Sequence, residues 1–412
     1  MLCTIVLTIV FSSSSQTIDD CKWKPHENAT SDGKKSYLGA QLWQVIIDSQ
    51  EKLNTVDGLE IIEYLQNWGP AYNTPYYDVF VEFTWIESVK KEFENNNIEY
   101  EVTINDFKKL IDEENQQVVQ NLEGHNLTWE KYHRLEDIES FVDYLATRYT
   151  SICNVVTIGQ SIEGRLLKVL KVSSGRSNNT AVWIDGGIHA REWISPATVT
   201  YVIQQLVDNW INEDTAVRNI DWHFLPVLNP DGYEFAHTHD RLWRKNRRQN
   251  GTCPGTDLNR NFENNWGGLG SSACPCHDVY AGAKPFSEPE TASVRDYIIQ
   301  HKSSWKGFLS FHSYGQIIFH AGGDELKNIG DKMANEMKAV YGTFYEVESS
   351  ESDPTGGDSD NWANKIVGIK YAYTFELRDL GKYGFVLPAS NIKPSGKEAL
   401  AAVRLLANVI NN

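Results

Sequence analysis

Between Leu38 and about Glu114 the spacing of apolar residues changes repeatedly. Apolar LWQVII gives way to the helical spacing of EKLNTVDGLEIIEYL, then to the alternation of YYDVFVEF. Helical IESVKKEF, alternating IEYEVTI and helical INDFKKLIDEE follow. The order β-α-β-β-α-β with a helical tail predicts a small antiparallel sheet carrying two helices. No histidine and no nucleophile constellation lies in this stretch.

NQQVVQNLEGHNLTW is polar and without periodicity, as an accessible linker would be. Beyond it, HRLEDIESFVDYLATRY places Ile138, Phe141, Val142, Leu145 and Tyr149 on one helical face, and RLLKVLKV and TAVWIDGG read as strands. The strand-like TAVWIDGG runs into IHAREWIS, after which Ser195 and Pro196 offer an N-cap and a first-turn proline for the helix PATVTYVIQQLVDNW. Ser395 with Glu398 reads as a capping box opening the last helix, KEALAAVRLLANVI. Strands and helices alternating over 130–412 predict one large α/β domain, with ligand-binding residues at the carboxyl ends of its strands. There are no internal repeats.

The 412 residues suffice for a large unit and a small one. With 55 Asp+Glu against 38 Lys+Arg the formal charge is -17. That argues against nucleic acid and anionic membrane surfaces as partners, while a cationic substrate is compatible with it. MLCTIVLTIVFSSSSQ is too short to span a bilayer and suits a secretory signal over 1–16, although it lacks a positively charged start. Four sequons, at Asn28, Asn126, Asn178 and Asn250, fit a secreted glycoprotein. Cys3 would leave with the signal, so at least one of the remaining five cysteines is unpaired or pairs with another chain. Cys253 and Cys276 close a short loop, with Cys274 as an extra candidate, while Cys21, Cys153 and Cys274 also read as buried or free thiols.

His189 and Glu192, three apart on a tight turn, can aim a nitrogen and a carboxylate oxygen at one ion. A catalytic zinc takes three protein ligands and keeps a position open for water, so a third donor must come from elsewhere. His312, at the end of GFLSFHS, is the candidate, the alternative being a core histidine. RLWRKNRR at 241–248 reads either as chemistry or as a solvated basic face, and NRN within TDLNRNF as a functional or an ordinary turn. For FELRD at 375–379 the plain alternative is a carboxylate paired with Arg378 or Lys382.

Together HAREW, RLWRK, NRN, HSY and FELRD with GKYGF stand in the order and at approximately the spacing of the secreted zinc metallocarboxypeptidases of the pancreatic A/B type. The chain resembles them from about Leu38 to its C-terminus. The resemblance implies a ferredoxin-like antiparallel α/β prodomain over 17–115, an activation linker over 116–130 and a catalytic domain over 131–412 built on a mixed eight-stranded sheet flanked by helices. It implies one Zn2+ per chain on His189, Glu192 and His312, with Glu376 activating the metal-bound water and Arg244 stabilising the oxyanion. Asn259 and Arg260 match the pair that grips the substrate's terminal carboxylate. Arg191 matches a substrate-path arginine, Tyr314 and Phe385 match cleft residues, and Cys253 with Cys276 matches the family disulfide. The implied protein is a secreted, monomeric zymogen that removes single residues from peptide C-termini after an activating protease has cut it.

The chain leaves the family pattern on one loop, VESSESDPTGGDSDNW. A mobile tyrosine of the family is replaced by Asp353, aligning on Trp362, or by Ser352, aligning on Gly356 and Gly357. On the same alignments the residue at the floor of the side-chain pocket is Asp360 or Ser359. An acid there implies a B-like preference for C-terminal Lys or Arg, an apolar floor an A-type preference for aromatic or aliphatic ends. Asp324 falls where the pocket wall would be, and all these acids also read as solvated loop charges. No Lys or Arg lies between Lys109 and Lys131, so activation would use Lys131 or Arg134, or a protease of another type near NLEGHN. Two rivals are a deacylase of N-acyl amino acids and a catalytically silent peptide-binding homologue. The Asn259–Arg260 pair and the long prosegment speak against the first, and the presence of Glu376 and all three zinc-ligand positions against the second.

Overall fold

A computed structural model describes residues 33–61, 64–70, 76–114, 125–251, 253–350 and 355–411. The expected signal segment, most of the expected linker, and Ser352 and Asp353 lie outside these residues. The chain forms two compact units, one over Tyr37–Phe107 and a larger one from Lys108 onward. Among the described residues no helix is long and apolar enough to cross a membrane.

The smaller unit contains β1 (Gln41–Ile46), α1 (Gln50–Ile61), β2 (Gln66–Pro70), β3 (Tyr76–Val81), α2 (Ile86–Asn95) and β4 (Tyr100–Ile104), and α3 (Phe107–Glu114) follows. The strands pair in the order β2-β3-β1-β4, antiparallel throughout. Period-two positions Trp43, Val45, Val79 and Val81 meet Ile86, Val89 and Phe93, the apolar stripe of α2, in one core. This is the arrangement that the alternating periods predict.

The larger unit runs α4 (Leu135–Arg148), β5 (Cys153–Gln160), β6 (Leu166–Val172), β7 (Thr180–Gly186), α5 (Ile194–Asp208), α6 (Thr215–Arg218) and β8 (Ile220–Leu225). It continues through α7 (Pro230–Thr238), α8 (Pro289–Gln300), β9 (Trp305–Ser313), β10 (Ile317–His320), α9 (Asp324–Tyr341) and β11 (Glu346–Ser349). One turn of helix, α10 (Ser359–Asn361), passes into a π-helical stretch at Trp362–Val367, and β12 (Tyr371–Leu377) and α11 (Ile392–Asn411) complete it. The sheet is mixed and eight-stranded, in the order β11-β10-β12-β9-β7-β8-β6-β5. Its inner strands bury both faces and so read as continuous apolar runs. In β7, Trp183 joins Phe308, Phe262 and Trp362 on one side, while Val182 and Ile184 join Leu309, Phe311 and Phe375 on the other.

Two helix starts differ from the sequence reading. Helix α5 begins at Ile194 with Trp193 before it, so Ser195 is not its N-cap. The Ser195 hydroxyl instead donates to Phe311 O at 2.5 Å and accepts from Gly187 N at 2.9 Å, tying the turn after β7 to β9. Helix α11 begins at Ile392, which places Ser395 and Glu398 inside it; Glu398 holds the Arg378 guanidinium rather than a backbone N–H. In both places tertiary partners took the polar side chain that local capping rules claim.

Candidate active site

Strand β9 runs parallel to both β7 and β12, its neighbours on either side, so three carboxyl ends meet at one edge of the sheet. His189 and Glu192 leave the turn after β7, His312 stands next to last in β9, and Glu376 lies beside His312 in the β12 register. Residues distant in sequence thereby converge.

One ligand atom each from His189, Glu192 and His312 lies within 4.8 Å of the others, and all three residues are buried. The two Nδ1 atoms face one another at 3.2 Å. Glu192 Oε1 is 2.7 Å from His189 Nδ1, and Oε2 is 3.4 Å from His312 Nδ1. Behind the cluster, His189 Nε2 meets Asp257 Oδ1 at 3.2 Å, and His312 Nε2 meets Ser310 Oγ at 3.0 Å, which donates to Asp185 at 2.7 Å. With both Nε2 atoms engaged outward, both Nδ1 atoms turn inward beside a carboxylate. Two nitrogens and an oxygen converging without a donor between them are the donor set of an open tetrahedral zinc site, and the outer hydrogen bonds are those that fix its tautomers.

Asp257 organises more than a histidine. Its Oδ2 accepts from Arg244 Nε and Nη2 at 3.0 and 2.9 Å, and its Oδ1 also accepts from Asn259 N at 2.9 Å, capping the turn that carries Asn259 and Arg260. Burial would raise this carboxyl, but Arg244 and His189 hold it well below the usual range. Burial pushes Glu376 up to about 7, with Glu192 adding to the rise and His312, Arg244 and Arg260 opposing it. Glu376 is not the partner of Arg378, which Glu398 takes.

Arg191, 4% exposed, donates to Asp278 at 3.2 Å, and its guanidinium lies 4.2 Å from the centre of the Phe385 ring. Phe385 in turn meets Tyr314 edge to face at 4.9 Å. The basic run at 241–248 is no solvated face: Arg241 and Lys245 are buried, and Arg241 donates to the carbonyls of Arg191 and Phe385 at 2.7 and 2.6 Å. Cys253 and Cys276 form a disulfide, and Cys153 is a buried free thiol.

Helix α10 packs against β9 and β12. Asp358, Ser359 and Asp360 are all buried there, and Asn259 Oδ1 accepts from Ser359 N at 3.0 Å. Asp324 is different, an exposed residue in the first turn of α9, so it is a solvated charge and no part of a pocket wall. Asp185, Asp257, Asp278 and Ser310 were not singled out from the sequence. Asp257 alone carried a signal there, as the acid beside the NRN turn.

Comparison with known proteins identifies the family. Residues 138–402 match the zinc carboxypeptidase family and residues 43–114 the carboxypeptidase activation peptide. The chain is 41% identical over 300 residues to carboxypeptidase B of Astacus astacus, covering 69% of this chain and 99% of that protein. It is 36% identical over 404 residues to carboxypeptidase A1 of Bos taurus, covering 92% and 96%. The crystal structure of thrombin activatable fibrinolysis inhibitor superposes with a TM-score of 0.83 at 32% identity, covering 90% of this chain and 98% of that one. Fold and site together define a zinc-dependent peptidase that works from the carboxyl end of its substrates. The chain belongs to the zinc carboxypeptidases and carries their activation peptide.

Proposed function

We propose that His189, Glu192 and His312 hold the catalytic zinc, that Glu376 is the general base and that Arg244 stabilises the oxyanion. The observation that carries this is the convergence of the three donors, with Glu376 beside His312 in register and Arg244 on the same carboxylate that orients His189. Zinc bound there lowers the pKa of water and polarises the scissile carbonyl. Glu376 takes a proton from the attacking water and returns one to the leaving amine. Arg244, already oriented by Asp257, meets the charge that develops on the carbonyl oxygen without a reorganisation cost.

Asn259 and Arg260 grip the terminal carboxylate, which restricts cleavage to the last peptide bond. Arg191, Tyr314 and Phe385 line the path of the preceding residues. The pocket is B-like, with Asp360 receiving a C-terminal Lys or Arg: this acid is 3% exposed, its Oδ2 has no hydrogen-bond partner, and its turn is bonded to Asn259. The chain divides into a signal at 1–16, an activation segment at 17–115, a linker at 116–130 and a catalytic domain at 131–412. It is secreted as a monomeric, glycosylated zymogen, and Asn126 and Asn178 are exposed as glycan acceptors need to be. An activating protease cuts the linker or the residues just after it.

Glu376→Gln tests the mechanism. Turnover falls about 10²- to 10⁴-fold while bound zinc stays near one per chain; turnover within tenfold of wild type refutes the assignment of the base. Chelator-sensitive release from paired peptides ending in Arg, Phe and Leu tests the pocket. Arg is favoured at least tenfold over Phe, about 1.4 kcal/mol of transition-state preference, and a preference for Phe or Leu makes the enzyme A-type.

A further inference from the structure

We propose that Asp358 is a second specificity acid, which together with Asp360 receives a C-terminal arginine side chain between two carboxylates. The inference rests on the B-like reading of Asp360 and extends it to a residue without an assigned role.

Asp358 and Asp360 lie two residues apart on the turn that opens α10, and they are 6% and 3% exposed. One oxygen of each, Asp358 Oδ1 and Asp360 Oδ2, is buried without a hydrogen-bond partner. Ser359 Oγ between them shares that condition, and the Thr374 hydroxyl on β12 lies beside Asp360 and lowers its carboxyl. The second oxygen of Asp358 accepts from Asn361 Nδ2 at 2.5 Å. Buried acceptors are ordinarily satisfied, and two desolvated carboxylates side by side oppose folding. Desolvation followed by the charge of Asp360 pushes the Asp358 carboxyl up to about 8, and Asp360 is raised as well. Such a pair has unused acceptor capacity that a buried cation with several N–H donors would fill.

The surroundings place the pair within reach of a bound C-terminal residue. Arg260 of the carboxylate clamp acts electrostatically on Asp358, and His312 of the metal cluster acts on Asp360. The Ser359 N–H to Asn259 Oδ1 bond joins the turn to the clamp. Phe262 N donates to Gly357 O at 3.0 Å, and Gly357 N to Asn264 O at 2.7 Å. One hydrogen-bonded frame therefore carries the groups for the terminal carboxylate and those for the side chain.

The two-carboxylate arrangement also discriminates between basic side chains. A guanidinium offers five donors in a planar fork and can bond both acids at once; an ammonium is a compact point charge with three. Arginine should therefore exceed lysine, by a margin that depends on Asp358.

The test compares kcat/KM for peptides identical except for C-terminal Arg, Lys or Phe, using the zinc-loaded, proteolytically processed enzyme and its Asp358→Asn and Asp360→Asn variants. In the wild type Arg exceeds Lys and both exceed Phe. Asp360→Asn collapses the preference for basic ends. Asp358→Asn lowers Arg release about tenfold and Lys release by a smaller factor, so the Arg-to-Lys ratio falls, with Phe release changed far less than Arg. An unchanged Arg-to-Lys ratio in Asp358→Asn, in an enzyme whose wild type favours basic ends, overturns this inference and leaves the B-like reading standing. Equal losses on all three peptides in Asp358→Asn assign it a structural role and overturn the inference too. A wild type that favours Phe overturns the B-like reading first, and this inference with it.

Discussion

The cluster of His189, Glu192 and His312 and the α10 turn are built differently. His312 and Glu376 occupy the ends of neighbouring parallel strands, and His189 and Glu192 follow the next strand, so the sheet register sets their spacing. Asp358, Ser359 and Asp360 belong to a short turn held by the Ser359 N–H to Asn259 Oδ1 bond and by backbone bonds of Gly357 with Phe262 and Asn264. In the cluster every outward-facing nitrogen has a partner, whereas on the turn two carboxylate oxygens have none. On the proposed reading, chemistry would reside on the strand ends and selectivity on a turn, whose side chains can change without disturbing those ends.

The largest effect that sharpens this contrast comes from Arg244→Ala. It should lower kcat about 10²- to 10³-fold and leave the zinc content measured by metal analysis unchanged, because the hydrogen bonds of Arg244 go to Asp257 and not to the three residues of the cluster. Asp257→Asn should weaken zinc binding about 10- to 100-fold, read by competition with a chromogenic chelator, since it alters the partner of His189 Nε2. If that variant keeps wild-type zinc affinity, the cluster does not depend on its outer hydrogen bonds and the contrast with the turn narrows.

A smaller effect comes from the backbone beneath the turn. Gly357 has φ +82°, and a Cβ there would lie 2.1 Å from Arg260 O. Gly357→Ala should force the turn away from the clamp and cost roughly 1–3 kcal/mol of stability, read as a lower urea midpoint, with KM rising more than kcat falls. A loss of bound zinc in this variant would show that cluster and turn are mechanically one piece.

The smallest effect is on stability against pH. Asn246 Nδ2 donates to Glu288 and Glu290, while Asn246 Oδ1 accepts from Thr256 N beside Asp257. Burial pushes the Glu290 carboxyl up to about 7. The folded chain therefore binds more protons than the unfolded one between about pH 4.5 and 7, so this group's contribution falls as pH rises through that window. Glu290→Gln should flatten the fall in urea midpoint between pH 4.5 and 7.5; an unchanged slope would remove Glu290 from the account.

The two regions also differed in how far they could be read in advance. HAREW and the end of GFLSFHS pointed to the three residues that converge, because each motif is local and ends a strand with a clear apolar pattern. Their supports were hidden: Asp257 lies 68 residues from His189, and Asp185 lies 125 residues from Ser310. Ser195 and Glu398 looked like local caps, because sequence spacing cannot show that Phe311 O and Arg378 are nearer competitors. Asp324 looked as plausible as Asp360 until burial separated them.

By itself, then, the sequence determined the two kinds of α/β unit, the strands whose ends carry histidine and carboxylate, and the membership in a zinc carboxypeptidase family. Those properties follow from short-range periodicity and from motifs a few residues long. Which Nδ1 atoms face each other, which acid orients Arg244 and which carboxylate oxygens of the loop are buried without partners depended on parallel register and long-range hydrogen bonds. Only the tertiary structure decided them, because desolvation and hydrogen-bond satisfaction are properties of surroundings assembled from distant segments of the chain.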